Sequence, residues 1–77
     1  MNIVIYSKSN CPNCISAKRL LDDKGIGYDE YSADGMTPEA LEVVCGVGVR
    51  QMPQIFIQGQ RVGGLAGLQQ ALKELGL

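Results

Sequence analysis

The sequence predicts an α/β fold, a βαβ unit followed by αββα, forming a four-stranded mixed sheet flanked by helices. Three observations carry that reading. Ile3-Val4-Ile5-Tyr6 and Gln54-Ile55-Phe56-Ile57 are apolar runs with the length and β-branched content of strands. Proline and glycine punctuate three stretches of helical periodicity. The chain opens strand, helix, strand, and a helical crossover between two strands implies parallel pairing.

Each element follows from its residues. Ile3 to Tyr6 reads as a strand buried on both faces. Pro12 suits the first position of a helix, which places Cys11 at its N-cap, and Cys14, Ala17, Leu20 and Leu21 recur at helical spacing until Gly25 supplies a stop. Gly27 to Ser32 alternates through Tyr28-Asp29-Glu30-Tyr31 as a strand nearer the sheet edge. Gly35 and Met36 read as plain loop. Thr37 caps a second helix that begins at Pro38 and Glu39, turns Leu41, Val44 and Cys45 inward and ends at Gly46 and Gly48. After the strand Gln54 to Ile57, Gln58-Gly59-Gln60 turns tightly into Arg61-Val62, a hairpin. Leu65, Leu68, Leu72 and Leu75 form the apolar stripe of a last helix.

Composition narrows the function. The 77 residues, read as one domain over 1–77, carry seven Lys plus Arg against eight Asp plus Glu, net charge −1 and no His. With that balance, and only Phe56, Tyr6, Tyr28 and Tyr31 as stacking platforms, no nucleic-acid partner is expected. No apolar run approaches the ~20 residues that span a bilayer, and Met1 leads straight into a strand, so no membrane partner and a cytoplasmic location are expected. A monomer is expected. Cys11 and Cys14 stand too close to staple distant parts of the chain, which excludes a secreted disulfide framework. Zinc would require about four ligands, and only Cys45 is left over, so no metal site is expected.

The chemistry-bearing feature is Cys11-Pro12-Asn13-Cys14 at a strand-to-helix junction. Unpaired N–H groups and the dipole at a helix N-terminus favour a thiolate, which is both nucleophile and leaving group in disulfide exchange. Cys11 is the expected nucleophile. Cys14, one turn further, is more shielded and is the expected resolving thiol. Lys8, three residues ahead, is either a solvated loop lysine or a cation that favours the thiolate and attracts anions. Gly63-Gly64 before the last helix is either a turn needing φ > 0 or a close backbone approach to a carboxylate, and Arg50 could hold a second one. Cys45 reads as a small buried hydrophobe. Pro53 opens a strand, where base rates favour a trans bond.

Taken together, Ile3-Val4-Ile5-Tyr6, Lys8-Ser9-Asn10-Cys11-Pro12-Asn13-Cys14, Met52-Pro53-Gln54-Ile55-Phe56-Ile57 and Gly63-Gly64 make the chain resemble a glutaredoxin over essentially its whole length. The resemblance implies a thioredoxin-like fold with a cis Met52–Pro53 bond opposite the active site. It also implies reduction of protein disulfides and glutathione mixed disulfides, with glutathione as co-substrate and no bound cofactor. By resemblance Cys11 attacks, Cys14 resolves, Met52 and Pro53 dock the glutathione backbone beside Pro12 and Asn13, and Lys8, Arg50, Gln51, Gly63 and Gly64 serve its carboxylates. The chain departs from the family twice: Asn13 replaces a common aromatic residue, and Leu65, Ala66 and Gly67 replace a small polar residue and an acid that hold the γ-glutamyl end.

Three other readings remain. A glutaredoxin-like redoxin would take electrons from thioredoxin reductase and pass them to ribonucleotide reductase. A binding module would hold an iron–sulfur cluster through Cys11 of two chains and two external thiols. A domain with an idle cysteine pair would show an ordinary Cys11 titration.

Overall fold

The computed structural model describes residues 2–45 and 52–77, with Pro38, Leu41, Val44 and Cys45 described as backbone only. Strand β1 (Ile3–Ser7) leads into helix α1 (Pro12–Asp23), strand β2 (Asp29–Ser32) and helix α2 (Pro38–Cys45). The hairpin β3 (Gln54–Ile57) and β4 (Gln60–Gly63) follows, then helix α3 (Leu65–Glu74). The sheet order is β2-β1-β3-β4, with β1 parallel to β2 and antiparallel to β3, and β3 antiparallel to β4. This is the mixed four-stranded sheet that the sequence predicts, with β2 at its edge.

Local chemistry explains the boundaries. Helix α1 stops because Gly25, at φ +70°, donates to Asp22 while Ile26 donates to Leu21, closing the exposed carbonyls in a left-handed cap. Thr37 Oγ1 accepts from the Ala40 N–H at 3.1 Å and so caps α2. Gln58 and Gly59 both have positive φ, 54° and 80°, the twist-matched two-residue hairpin turn.

Four expectations need correction. Only one face of β1 closes fully: Ile3, Ile5 and Ser7 are buried, whereas Val4 and Tyr6 are half-buried. The buried face packs under α1 and α3 in a core of Ile3, Ile5, Ala17, Leu21, Ile55, Ile57, Leu68 and Leu72. On the other face Tyr6 meets Phe56 edge-on and stacks on Tyr31 with ring centroids 5.5 Å apart. Leu75 is 53% exposed, because α3 ends at Glu74 and Leu75 is already its C-cap. Met36 is more than plain loop, for it packs with Phe56 and Tyr6 against the cysteine end of the sheet. Strand β2 is two residues shorter than predicted, its register with β1 starting at Asp29 opposite Val4. The predicted inward placement of Leu41, Val44 and Cys45 lies outside the described side chains.

Candidate active site

Cys11 stands at the N-cap of α1, where the parallel β1 delivers the chain to the helix. Its backbone is extended (φ −116°, ψ 101°), Pro12 occupies the first turn, and its Sγ accepts the Cys14 backbone N–H at 3.2 Å. A hydrogen bond to sulfur from a helix-terminal amide favours the anion whenever the thiol is reduced. Cys11 Sγ also lies 3.5 Å from the Met52 carbonyl oxygen, to which a reduced thiol can donate.

The two cysteines form a disulfide, with Cα atoms 5.2 Å apart. The structure therefore represents the oxidised end of a dithiol–disulfide couple. Cys14 is 1% exposed and Cys11 6%, so the second sulfur is the more shielded. Both rest in a small cluster with Ala33 and Met52, against Tyr6, Met36 and Phe56.

The loop that brings the chain to Cys11 is braced from β2's far end. Asp34 accepts the Ser9 N–H at 3.0 Å and the Ser9 hydroxyl at 2.6 Å, while its own N–H donates to Ser32 Oγ. The Ser9 hydroxyl, followed by the Ser9 amide, holds the Asp34 carboxyl below the usual carboxylate range. Asn10 takes a positive φ of 56°, an arrangement asparagine tolerates, and so turns the chain into the cap. Two residues further back along β2, Glu30 Oε2 accepts from Ser7 Oγ at 2.6 Å and from Lys18 Nζ at 2.7 Å, joining β1, β2 and α1.

A groove of about 360 Å³ runs beside the disulfide, lined by Asn13, Met52, Pro53, Gln54, Gly64, Leu65, Ala66 and Gln69. The Met52–Pro53 bond is cis, as the family resemblance implies. Four sequence-predicted residues thus converge: Asn13, Met52, Pro53 and Gly64. Pro12 is an exposed residue of the first helical turn. Lys8 is exposed and lies elsewhere, in a shallow pocket with Ser7, Ser9, Lys18, Glu30 and Ser32. Gly63 does not line the groove; its φ of +99°, beside a register shift between β3 and β4, is what requires glycine there. Gly64 is the N-cap of α3, and a Cβ on it would stand 3.5 Å from the Pro53 carbonyl. Arg50 and Gln51 lie outside the described residues.

Sequence reasoning missed Gln54 and Gln69 as groove residues and the Ser9–Asp34 brace. The brace had a signal, since both residues follow the C-terminal ends of two strands expected to pair in parallel. Gln69 had none beyond its place one turn past Leu65.

A parallel βαβ start, a dithiol at the first helix's N-cap and a cis-proline groove beside it define a thioredoxin-like domain built for thiol–disulfide exchange. The comparisons place it more narrowly. The glutaredoxin family profile matches residues 3–62. Glutaredoxin 3 of Escherichia coli K12 is 41% identical over 63 residues, covering 82% of this chain and 76% of that protein. Glutaredoxin 1 from Francisella tularensis, solved with cacodylate, superposes with a TM-score of 0.83 at 27% identity, covering 99% and 98% of the two chains. A buckwheat glutaredoxin–glutathione complex gives 0.76 at 27% identity, covering 94% of this chain and 68% of that one. The chain belongs to the glutaredoxin family, whose activity is thiol–disulfide oxidoreduction.

Among the described residues no helix is long and apolar enough to cross a membrane.

Proposed function

We propose that residues 1–77 act as one monomeric domain, a glutathione-dependent thiol–disulfide oxidoreductase working in the reducing cytoplasm. The observation that carries this reading is the Cys11 sulfur, held by the Cys14 N–H at 3.2 Å and set beside the Met52 carbonyl at the edge of a peptide-sized groove. The buckwheat relative's complex with glutathione supports the choice of ligand.

In the forward reaction the reduced Cys11 thiolate attacks one sulfur of a substrate disulfide, and the other sulfur leaves as a thiolate that takes a proton from water. Cys14, deprotonated as it attacks, then displaces the bound thiol from Cys11. The protein disulfide seen here forms, and two electrons have passed to the substrate. Glutathione attacks that disulfide at Cys11, and a second glutathione restores the dithiol while leaving as oxidised glutathione. A glutathionylated protein needs Cys11 alone, because glutathione itself resolves the Cys11–glutathione intermediate.

Within the groove, Met52 and Pro53 offer backbone to an extended peptide thiol as an added strand does, and Asn13 and Gly64 frame it. The start of α3, at Gly64, Leu65 and Ala66, lines the groove, and a helix N-terminus of this kind is a seat for a carboxylate. Pro12 pre-sets the helix start. Arg50 and Gln51 supply further polarity for carboxylates, Lys8 attracts anions from its separate pocket rather than from the groove, and Gly63 makes the bend that presents Gly64.

Replacing Cys11 with Ser should reduce both protein-disulfide reduction and deglutathionylation to background. Cys14→Ser should spare deglutathionylation and abolish turnover of protein disulfides. Oxidised protein should be reduced faster by glutathione with its reductase than by thioredoxin reductase with NADPH. The reverse order would move the chain to the redoxin reading, in which ribonucleotide reductase is the expected acceptor.

A further inference from the structure

The groove is electrically unusual for a pocket meant to hold a zwitterion. Asn13, Met52, Pro53, Gln54, Gly64, Leu65, Ala66 and Gln69 are all uncharged. In sequence, the residues from Gly46 to Gln51 include no Asp or Glu. The first turn of α3 has no acidic residue, and Gly64 offers its N-terminus no side-chain cap. That end of the helix carries partial positive charge, which favours a carboxylate and disfavours an ammonium. The acids on the other side of Cys11 are already engaged, Glu30 with Lys18 and Ser7, and Asp34 with Ser9.

The packing of α3 explains why position 67 cannot supply the missing charge. A side chain at Gly67 would collide with the Val62 carbonyl, so α3 rests on β4 backbone at that point and admits only glycine. Ala66 is different: it is exposed, lines the groove and presents only a methyl group to it.

The geometry points to a groove that recognises the peptide backbone and carboxylates of a thiol ligand and is indifferent to its amine, with Ala66 the residue that sets this specificity. The inference rests on the glutathione reading and refines it. The ligand class is any γ-glutamyl-like acyl-cysteinyl-glycine thiol or its disulfide, whether or not it carries the ammonium.

The test compares two mixed disulfides of 2-mercaptoethanol, one with glutathione and one with glutaryl-cysteinyl-glycine, which is glutathione lacking the amine. Reduced protein with both cysteines is mixed with each, and the single-turnover second-order rate constant is read. Cys11 opens the mixed disulfide, Cys14 closes the protein disulfide, and two thiols are released, so no further reductant is needed. The expected rate ratio is within about twofold of one, since no fixed charge faces the amine. A threefold or greater loss with the amine-free ligand overturns the proposal. Ala66→Asp, an acid in a first helical turn that the dipole favours, should raise the preference for glutathione by about three- to fivefold, the worth of an exposed ion pair. A folded Ala66→Asp protein that still ignores the amine overturns the assignment of Ala66. If neither ligand reacts faster than the disulfide of 2-mercaptoethanol itself, the groove does not read glutathione at all, and the failure belongs to the functional reading.

Discussion

The two sides of the sheet are built to opposite ends. Under α1 and α3, Ile3, Ile5, Ala17, Leu21, Ile55, Leu68 and Leu72 are all 2% exposed or less, a sealed hydrocarbon interior made from alternate positions of β1 and β3. Among the described residues, the apolar cluster at the cysteine end is smaller, Cys11, Cys14, Ala33 and Met52, with half-covered Tyr6, Met36 and Phe56 around them. The first region holds the fold together by burial. The second closes less completely and sets Cys11, 6% exposed, near an open groove.

Truncating a side chain on each side measures that division. Leu21→Ala should destabilise the domain by about 2–5 kcal/mol, the cost of a cavity in a closed interior, read from urea unfolding. Met52→Ala, at the open rim, should cost about 1–2 kcal/mol because water and neighbours can fill the space. Equal costs would mean that the cysteine end is as tightly packed as the interior.

Gly67→Ala sharpens the comparison from the other direction, since it adds volume where α3 touches β4. The collision with Val62 should cost about 1–3 kcal/mol and, by shifting Leu65 and Ala66, raise KM for glutathione disulfides more than it lowers kcat. Parallel losses in both constants would point to unfolding alone.

The smallest effect belongs to Glu30. Its hydrogen bond from Lys18, then that from Ser7, holds its carboxyl below the ordinary value, and the same bond raises Lys18. A depressed carboxylate stabilises the fold above its unfolded value, about pH 4, and that contribution is lost as pH falls through the lower folded value. Glu30 is 40% exposed at its side chain, so solvent screening limits Glu30→Gln to below about 0.5 kcal/mol at neutral pH. The visible signature is a weaker acid-side decline in thermal stability than the unaltered chain shows.

What was readable in advance was local. Pro12 announces a helix start, so Cys11 at its N-cap followed from neighbours one and three residues away, and the Cys14 N–H does bond its sulfur. The parallel β1–β2 pair followed from the helical character of the connection, whereas the antiparallel seating of β3 against β1 did not. What was not readable depended on partners far along the chain. Leu75 continued an apolar stripe, yet only the place where α3 runs out decides that it meets solvent. Met36 looked like loop, yet the fold packs it against the buried cluster of Cys11, Cys14, Ala33 and Met52.

By itself the sequence determined the elements, the edge position of β2 and the placing of the Cys11 sulfur at a helix mouth, because propensities, caps and turn chemistry act within about one helical turn. The tertiary structure alone decided that Ser9 is clamped by Asp34, that Ala66 and Gln69 share a wall with Met52, and that Gly67 tolerates no side chain. Those are matters of register and of how closely two backbones approach, and distances between residues remote in the chain are fixed only when the packed layers settle against each other.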